Sequence, residues 1–169
     1  MSGTRPVHPG SHEAAGRVIA LLAARGQTVA VAESLTGGLL AAALTGIPGA
    51  SAAFRGAVVA YATSLKATLL DVPSLLLDEL GAVSPEVAAA MADGVRGRLS
   101  ATFGAATTGV AGPDATEGKP VGTVHIAVSA AGGTSVRSLV LAGSRDEVRQ
   151  QTVKETLGLL LHRLGEESS

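Results

Sequence analysis

A serine near the start of the chain stands where it can act as a nucleophile. Ser34 follows a short apolar run at residues 28–32, predicted to be a buried strand, and precedes a predicted helix. A serine on such a turn lies at the carboxyl edge of a sheet, where open α/β folds bind ligands. The start of the helix at Thr36, Gly37 and Gly38 offers free backbone N–H groups for an oxyanion. The alternative is that Ser34 or Thr36 only caps the helix and the glycines serve tight packing.

Serine is a weak nucleophile that needs a base, and lysine is the best candidate in this chain. Lys66 follows Tyr61 at the end of a second predicted strand, and only three of the 13 basic residues are lysines. A lysine amine accepts a proton near neutral pH only if burial or a nearby cation lowers its pKa, whereas arginine cannot do so. The alternative is a solvated lysine on a short helix. The histidines give no convincing Ser-His-Asp set and are read as surface or core residues: His8, His12, His125 and His162.

The glycine-rich segment at residues 108–120 is a second candidate for ligand binding. Thr108, Gly109 and Gly112 lie in it, and glycine permits close approach of the backbone to a ligand. The Gly-Lys-Ser/Thr ending of a phosphate-binding P-loop is missing. The segment is equally typical of a connecting loop.

Two arginines open the last predicted helix. Arg145 and Arg149 are four residues apart, which puts both guanidinium groups on one helix face. Together with the helix N-terminus they can hold a phosphate. The alternative is a solvated face on which they pair with Asp146, Glu147 or Glu155.

The pattern of elements predicts a three-layer α/β/α sandwich with a mixed sheet of about five strands. Helices separate the first three strands, at residues 28–32, 54–60 and 102–107, and Gly132-Gly133 joins the last two in an antiparallel hairpin. Ser11 is predicted to cap a first helix that Gly26 ends, and Ser84 to cap a helix that begins at Pro85. A last helix is predicted at about residues 145–164.

Composition narrows the class of protein. The 169 residues fit one domain, predicted at residues 11–165 after a flexible tail at residues 1–10. A net charge of -1 and few aromatic residues argue against nucleic-acid binding, and no apolar run is long enough to cross a membrane. The absence of cysteine excludes thiol chemistry and fits the cytoplasm. No residue cluster has metal-ligand spacing, and no cofactor is expected.

The chain resembles the CinA C-terminal family over about residues 12–164. The matching stretches occur in family order: AESLTGG at 32–38, LTGIPGAS at 44–51, FRGAVVAY at 54–61, GAVSPEVAAAMADG at 81–94, TTGVAGPDATEGKPVGTV at 107–124 and SRDEVRQQTV at 144–153. Each is weak alone, but together they are specific. Three departures are Leu35 in place of a small residue, Thr63 in place of Asn, and a shorter, less glycine-rich loop after Gly112.

The resemblance implies hydrolysis of the carboxamide of nicotinamide mononucleotide to the acid, with release of ammonia and without a metal. The family's catalytic serine, tyrosine and lysine fall on Ser34, Tyr61 and Lys66, so Ser34 is the expected nucleophile and Lys66, directly or through Tyr61, its expected base. The family's glycine-containing loop falls on Thr108, Gly109 and Gly112, and its basic positions near the last helix fall on Arg145 and Arg149. The turn around Ser34 is also predicted to contact the substrate, through Glu33, Thr36, Gly37 and Gly38. The expected partner is this small nucleotide, and a homo-oligomer is left open. Two alternatives are a non-catalytic domain of the same fold that binds a nucleotide or protein, and an amidase for another amide.

Overall fold

The computed structural model describes residues 9–166, and these form helices around one sheet. The strands are β1 (Val29–Glu33), β2 (Phe54–Val59), β3 (Phe103–Gly109), β4 (Thr123–Ala130) and β5 (Gly133–Val140). The helices are α1 (Pro9–Ala24), α2 (Leu39–Thr45), α3 (Thr63–Leu70), α4 (Ser74–Leu80), α5 (Pro85–Arg98) and α6 (Arg145–Glu166), with a short 3-10 helix at Ala50–Ala52. Residues 1–8 of the predicted tail lie outside the described residues.

The sheet is mixed, as predicted, with the strand order β2-β1-β3-β4-β5. β1 runs parallel to both β2 and β3, whereas β3, β4 and β5 are antiparallel to one another in turn. The predicted hairpin is confirmed, because Ala130 pairs with Gly133 across a two-residue turn. The carboxyl ends of β1, β2 and β3 therefore meet at one edge of the sheet.

Helices cover both faces of the sheet, which confirms the three-layer prediction. Along β1, Val29 and Val31 pack into the core formed with α1, α2 and α6, while Ala30 and Ala32 pack into the core under α5. Alternate side chains of a strand point to opposite faces, so a wholly apolar strand indicates a strand buried on both sides. Within the described residues, no helix is long and apolar enough to cross a membrane.

Local capping signals gave one wrong and two correct helix ends. α1 begins at Pro9, before Ser11, because the fixed φ of proline suits the first helical position. Ser11 is instead buried inside the first turn. Gly26 ends α1 with a positive φ of 63°, and Ser84 caps α5 by accepting the N–H of Val87 at 3.1 Å.

Candidate active site

A cavity of about 250 Å³ opens at the carboxyl edge of the three parallel strands. Its walls come from the turn after β1, the segment from the end of β2 into α3, the segment before α5, the loop after β3 and the start of α6. The lining residues are Ser34, Leu35, Tyr61, Thr63, Lys66, Ala82, Val83, Thr108, Gly109, Val110, Ala111, Gly112, Asp114, Thr116, Glu117 and Arg145. The sheet edge at which the topology predicts ligand binding therefore carries a cavity.

Ser34 and Lys66 form a buried pair in this cavity. Lys66 is 1% exposed, and its Nζ lies 3.0 Å from Ser34 Oγ and 2.7 Å from the carbonyl oxygen of Ala60. Burial lowers the pKa of Lys66 to about 8, and the negative charge of Glu117 partly opposes this. A neutral amine can donate to Ala60 O and turn its lone pair toward the hydroxyl. The pair therefore has the geometry of a nucleophile and its base.

Tyr61 lies on the cavity wall, and its hydroxyl contacts Arg145. Its side chain is 58% exposed, and its hydroxyl accepts a hydrogen bond from Arg145 Nη2 at 3.0 Å. Arg145 also donates from Nη1 to the carbonyl oxygen of Gly112 at 2.6 Å. Arg145 thus joins the end of β2 to the loop after β3. The structure brings Tyr61 and Arg145 together, and separately Ser34 and Lys66.

Glu33 lies behind the nucleophile turn, not in the cavity. It is fully buried, and its carboxylate accepts the backbone N–H groups of Leu40 at 2.8 Å and Ala41 at 3.0 Å. α2 begins after Gly38, which has no side chain to cap it, so the Glu33 carboxylate satisfies two free N–H groups of that helix. Glu33 therefore fixes the start of α2 relative to β1.

Thr36, Gly37 and Gly38 shape the turn that follows Ser34. The Thr36 hydroxyl lies 2.8 Å from that of Thr107, and both residues are buried. Gly37 and Gly38 have φ values of 56° and 105°, which glycine adopts at no steric cost. Within the described part of the chain, none of the three lines the cavity.

Three backbone N–H groups of the turn, those of Leu35, Thr36 and Gly38, donate to no acceptor among the described residues, and of these three residues Leu35 alone lines the cavity. Gly37 N–H donates to Ser34 O and Leu39 N–H donates to Thr36 O, so the turn itself uses both. Leu35 lines the cavity, and its N–H donates to no acceptor among residues 9–166. The oxyanion donor suggested by this geometry is Leu35 N–H, next to the positions expected from the sequence.

Arg149 does not reach the cavity, although it is four residues from Arg145. Its Nε donates to Leu35 O at 2.9 Å and its Nη2 to Thr36 O at 3.2 Å. The guanidinium therefore ties α6 to the nucleophile turn. The two arginines share a helix face, as predicted, but their side chains contact different segments.

Two residues of the loop after β3 carry contacts that the sequence analysis did not single out. The Glu117 carboxylate accepts the N–H groups of Ala82 at 3.1 Å and Val83 at 3.3 Å. Lys119 Nζ donates to the carbonyl oxygens of Leu80 and Val83. Together these charges fix the segment before α5 as a wall of the cavity. The signal in the sequence was a pair of opposite charges around Gly118, as in a tight turn.

The described histidines lie outside the cavity. His125 Nδ1 lies 2.8 Å from Ser138 Oγ on the β4–β5 hairpin, and neither His12 nor His162 lines the cavity. Within residues 9–166, no group of three or more His, Asp or Glu side chains is arranged to hold a metal ion.

Comparison with known proteins gives consistent matches. The profile of the CinA C-terminal domain matches residues 11–164. A CinA-like protein of Frankia casuarinae is 56% identical over 149 residues, and a putative competence-damage inducible protein of Desulforamulus reducens is 49% identical over 139. These cover 88% and 82% of this chain, but in both cases the chain spans 34% of the relative, about a third of its length.

Solved structures match over nearly the whole chain. The competence/damage inducible protein CihA from Agrobacterium tumefaciens superposes with a TM-score of 0.91 at 38% identity, covering 98% of this chain and 99% of that one. A CinA superfamily protein from Escherichia coli gives a TM-score of 0.87 at 30% identity, with coverage of 95% and 92%.

Proposed function

Since this chain belongs to the CinA C-terminal domain family, we propose that it is a serine amidohydrolase that converts nicotinamide mononucleotide and water to nicotinate mononucleotide and ammonia. The observation that carries the proposal is the buried Lys66 amine 3.0 Å from Ser34 Oγ. An amine held out of water beside a hydroxyl can take its proton, which makes the oxygen a nucleophile. The substrate is inferred from the resemblance to the family.

The proposed reaction runs in two steps. Neutral Lys66 accepts the Ser34 proton while Oγ attacks the carboxamide carbon. The oxyanion forms beside Leu35 N–H, and one such donor typically contributes about 3 kcal/mol. The tetrahedral intermediate collapses, the C–N bond breaks, and Lys66 returns the proton to the departing ammonia. Water then gives a proton to Lys66, attacks the ester carbon and releases the acid, and the proton returns to Ser34.

The remaining site residues bind or position in this proposal. Arg145 holds the 5'-phosphate at the mouth of the cavity, and Tyr61 orients its guanidinium through their 3.0 Å hydrogen bond. The loop at Thr108, Gly109 and Gly112 lies against the ribose. The residues behind the wall hold the nucleophile turn in place: Glu33, Thr36, Gly37, Gly38 and Arg149.

Ammonia release by the purified chain tests this function. We expect turnover of nicotinamide mononucleotide, less of nicotinamide riboside, and the same rates with and without EDTA. A folded protein that releases no ammonia from the mononucleotide contradicts the proposal. Activity that EDTA abolishes and zinc restores overturns the lysine-based chemistry, and activity only on another amide changes the substrate.

A further inference from the structure

The cavity carries charges of both signs on different walls. Among residues 9–166, Lys66 and Arg145 are its cations, and Asp114 and Glu117 of the loop after β3 are its carboxylates. When Lys66 is neutral, as the proposed reaction requires, one cation and two carboxylates remain. With Lys66 neutral, the part of the cavity away from Arg145 therefore carries a net negative charge.

Glu117 is the better fixed of the two carboxylates. Its oxygens accept two backbone N–H groups, and Lys119 donates to two carbonyl oxygens of the same segment. A carboxylate oxygen has lone pairs beyond the one used by each N–H, so these contacts leave it able to interact with a cation. Its field reaches the catalytic amine, because it opposes the lowering of the Lys66 pKa.

We propose that Glu117 is a specificity-determining residue that selects amides carried on a positively charged ring. The inference rests on the proposed function, in which the carboxamide carbon reaches Ser34 Oγ. The ring is bonded directly to that carbon, so it must lie in the same cavity, near the wall to which Glu117 belongs. The positive charge of a pyridinium ring compensates the negative charge of the Glu117 carboxylate. A neutral aromatic ring removes water from the carboxylate without supplying a compensating charge.

This selection has a consequence for the substrate class. Nicotinamide becomes a pyridinium cation when its ring nitrogen carries a ribose, while free nicotinamide is neutral. The mononucleotide then presents a positive ring to Glu117 and a negative phosphate to Arg145. The charges of the cavity match those of a zwitterion, and they disfavour neutral benzamide-like compounds.

Two probes isolate the ring charge. The 1-methylnicotinamide cation and neutral 3-methylbenzamide have almost the same shape and differ in the charge of the ring. Their dissociation constants can be measured by NMR titration, without turnover, at pH 9, where Lys66 is largely neutral. We expect the cation to bind about two- to fivefold more tightly, as for an exposed charge pair.

Variants then assign the preference to a residue. Glu117→Gln should bring the ratio of the two dissociation constants close to one, while Glu79→Gln, the same change on exposed α4, should leave it unchanged. A ratio near one in the wild type, or an unchanged ratio in Glu117→Gln, overturns the inference. If Glu117→Gln does not fold, the test uses Asp114→Asn, which removes the other carboxylate of the cavity. The preference for the cation should survive in Asp114→Asn, and loss of the preference in that variant overturns the inference.

The outcome is separable from that of the proposed function. A wild type that prefers the cation but releases no ammonia from nicotinamide mononucleotide would retain the role of Glu117 and reject the reaction. A wild type that hydrolyses the mononucleotide without preferring the cation would retain the reaction and reject the role of Glu117.

Discussion

The pH dependence of turnover reports directly on the Lys66 amine. Only the neutral form accepts the Ser34 proton, so kcat/KM should follow the neutral fraction of Lys66 in the free enzyme. With a pKa of about 8, that fraction is about one tenth at pH 7 and about nine tenths at pH 9. We therefore expect kcat/KM for the mononucleotide to rise about tenfold between pH 7 and pH 9 and then to level off.

The assay is ammonia release at low substrate concentration across this pH range, with Lys66→Arg and Lys66→Ala beside the wild type. Arginine keeps the charge and much of the length but cannot deprotonate, so both variants should lose nearly all activity. Removal of the Glu117 charge should move the midpoint to lower pH, since this charge raises the Lys66 pKa. Substantial activity in Lys66→Arg with an unchanged acidic limb would refute the assignment of the base.

Four further substitutions test three separate parts of the account. Lys66→Met should raise the free energy of unfolding by about 1 to 3 kcal/mol at pH 7, because the folded state lowers the lysine pKa and so disfavours its charged form. This gain in stability should shrink as the pH rises from 8 toward 10.5, where the wild-type lysine loses its proton in the folded state. Urea unfolding at several pH values measures both effects. Arg145→Ala should raise KM for the mononucleotide far more than for the riboside, whereas Arg149→Ala should affect both equally; the reverse pattern would place the phosphate at Arg149. Glu33→Gln should lower the free energy of unfolding by about 1 to 3 kcal/mol, because it replaces a buried carboxylate that accepts two N–H groups, and an unchanged denaturant midpoint would contradict that role.

The fold was predictable because its signals are local or periodic. Ser84 and Pro85 determine a helix start within one turn, and the apolar run at β1 is short enough to indicate a strand buried on both faces. The start of α1 was misplaced because two capping signals, Pro9 and Ser11, lie within one turn of each other. Local chemistry alone does not rank them.

Seven of the twelve residues predicted for the site line the cavity, and five do not: Glu33, Thr36, Gly37, Gly38 and Arg149. Lys66 meets Ser34 across 32 residues, and only the tertiary structure shows that contact. Glu33 turns its carboxylate back to α2, and Arg149 donates to the carbonyl oxygens of the turn. Spacing along a helix or strand predicts which face of the element a side chain leaves from. It does not predict which group the end of a long side chain contacts.

The most direct test of the central claim is ammonia release from nicotinamide mononucleotide by Ser34→Ala. The change removes one oxygen from the turn, and Ser64→Ala on the exposed side of α3 is the matched control. Circular dichroism should show that both variants keep the fold of the wild type. We predict that Ser34→Ala loses turnover to the background rate while Ser64→Ala retains it. Turnover at the wild-type rate by folded Ser34→Ala would contradict the assignment of Ser34 as the nucleophile.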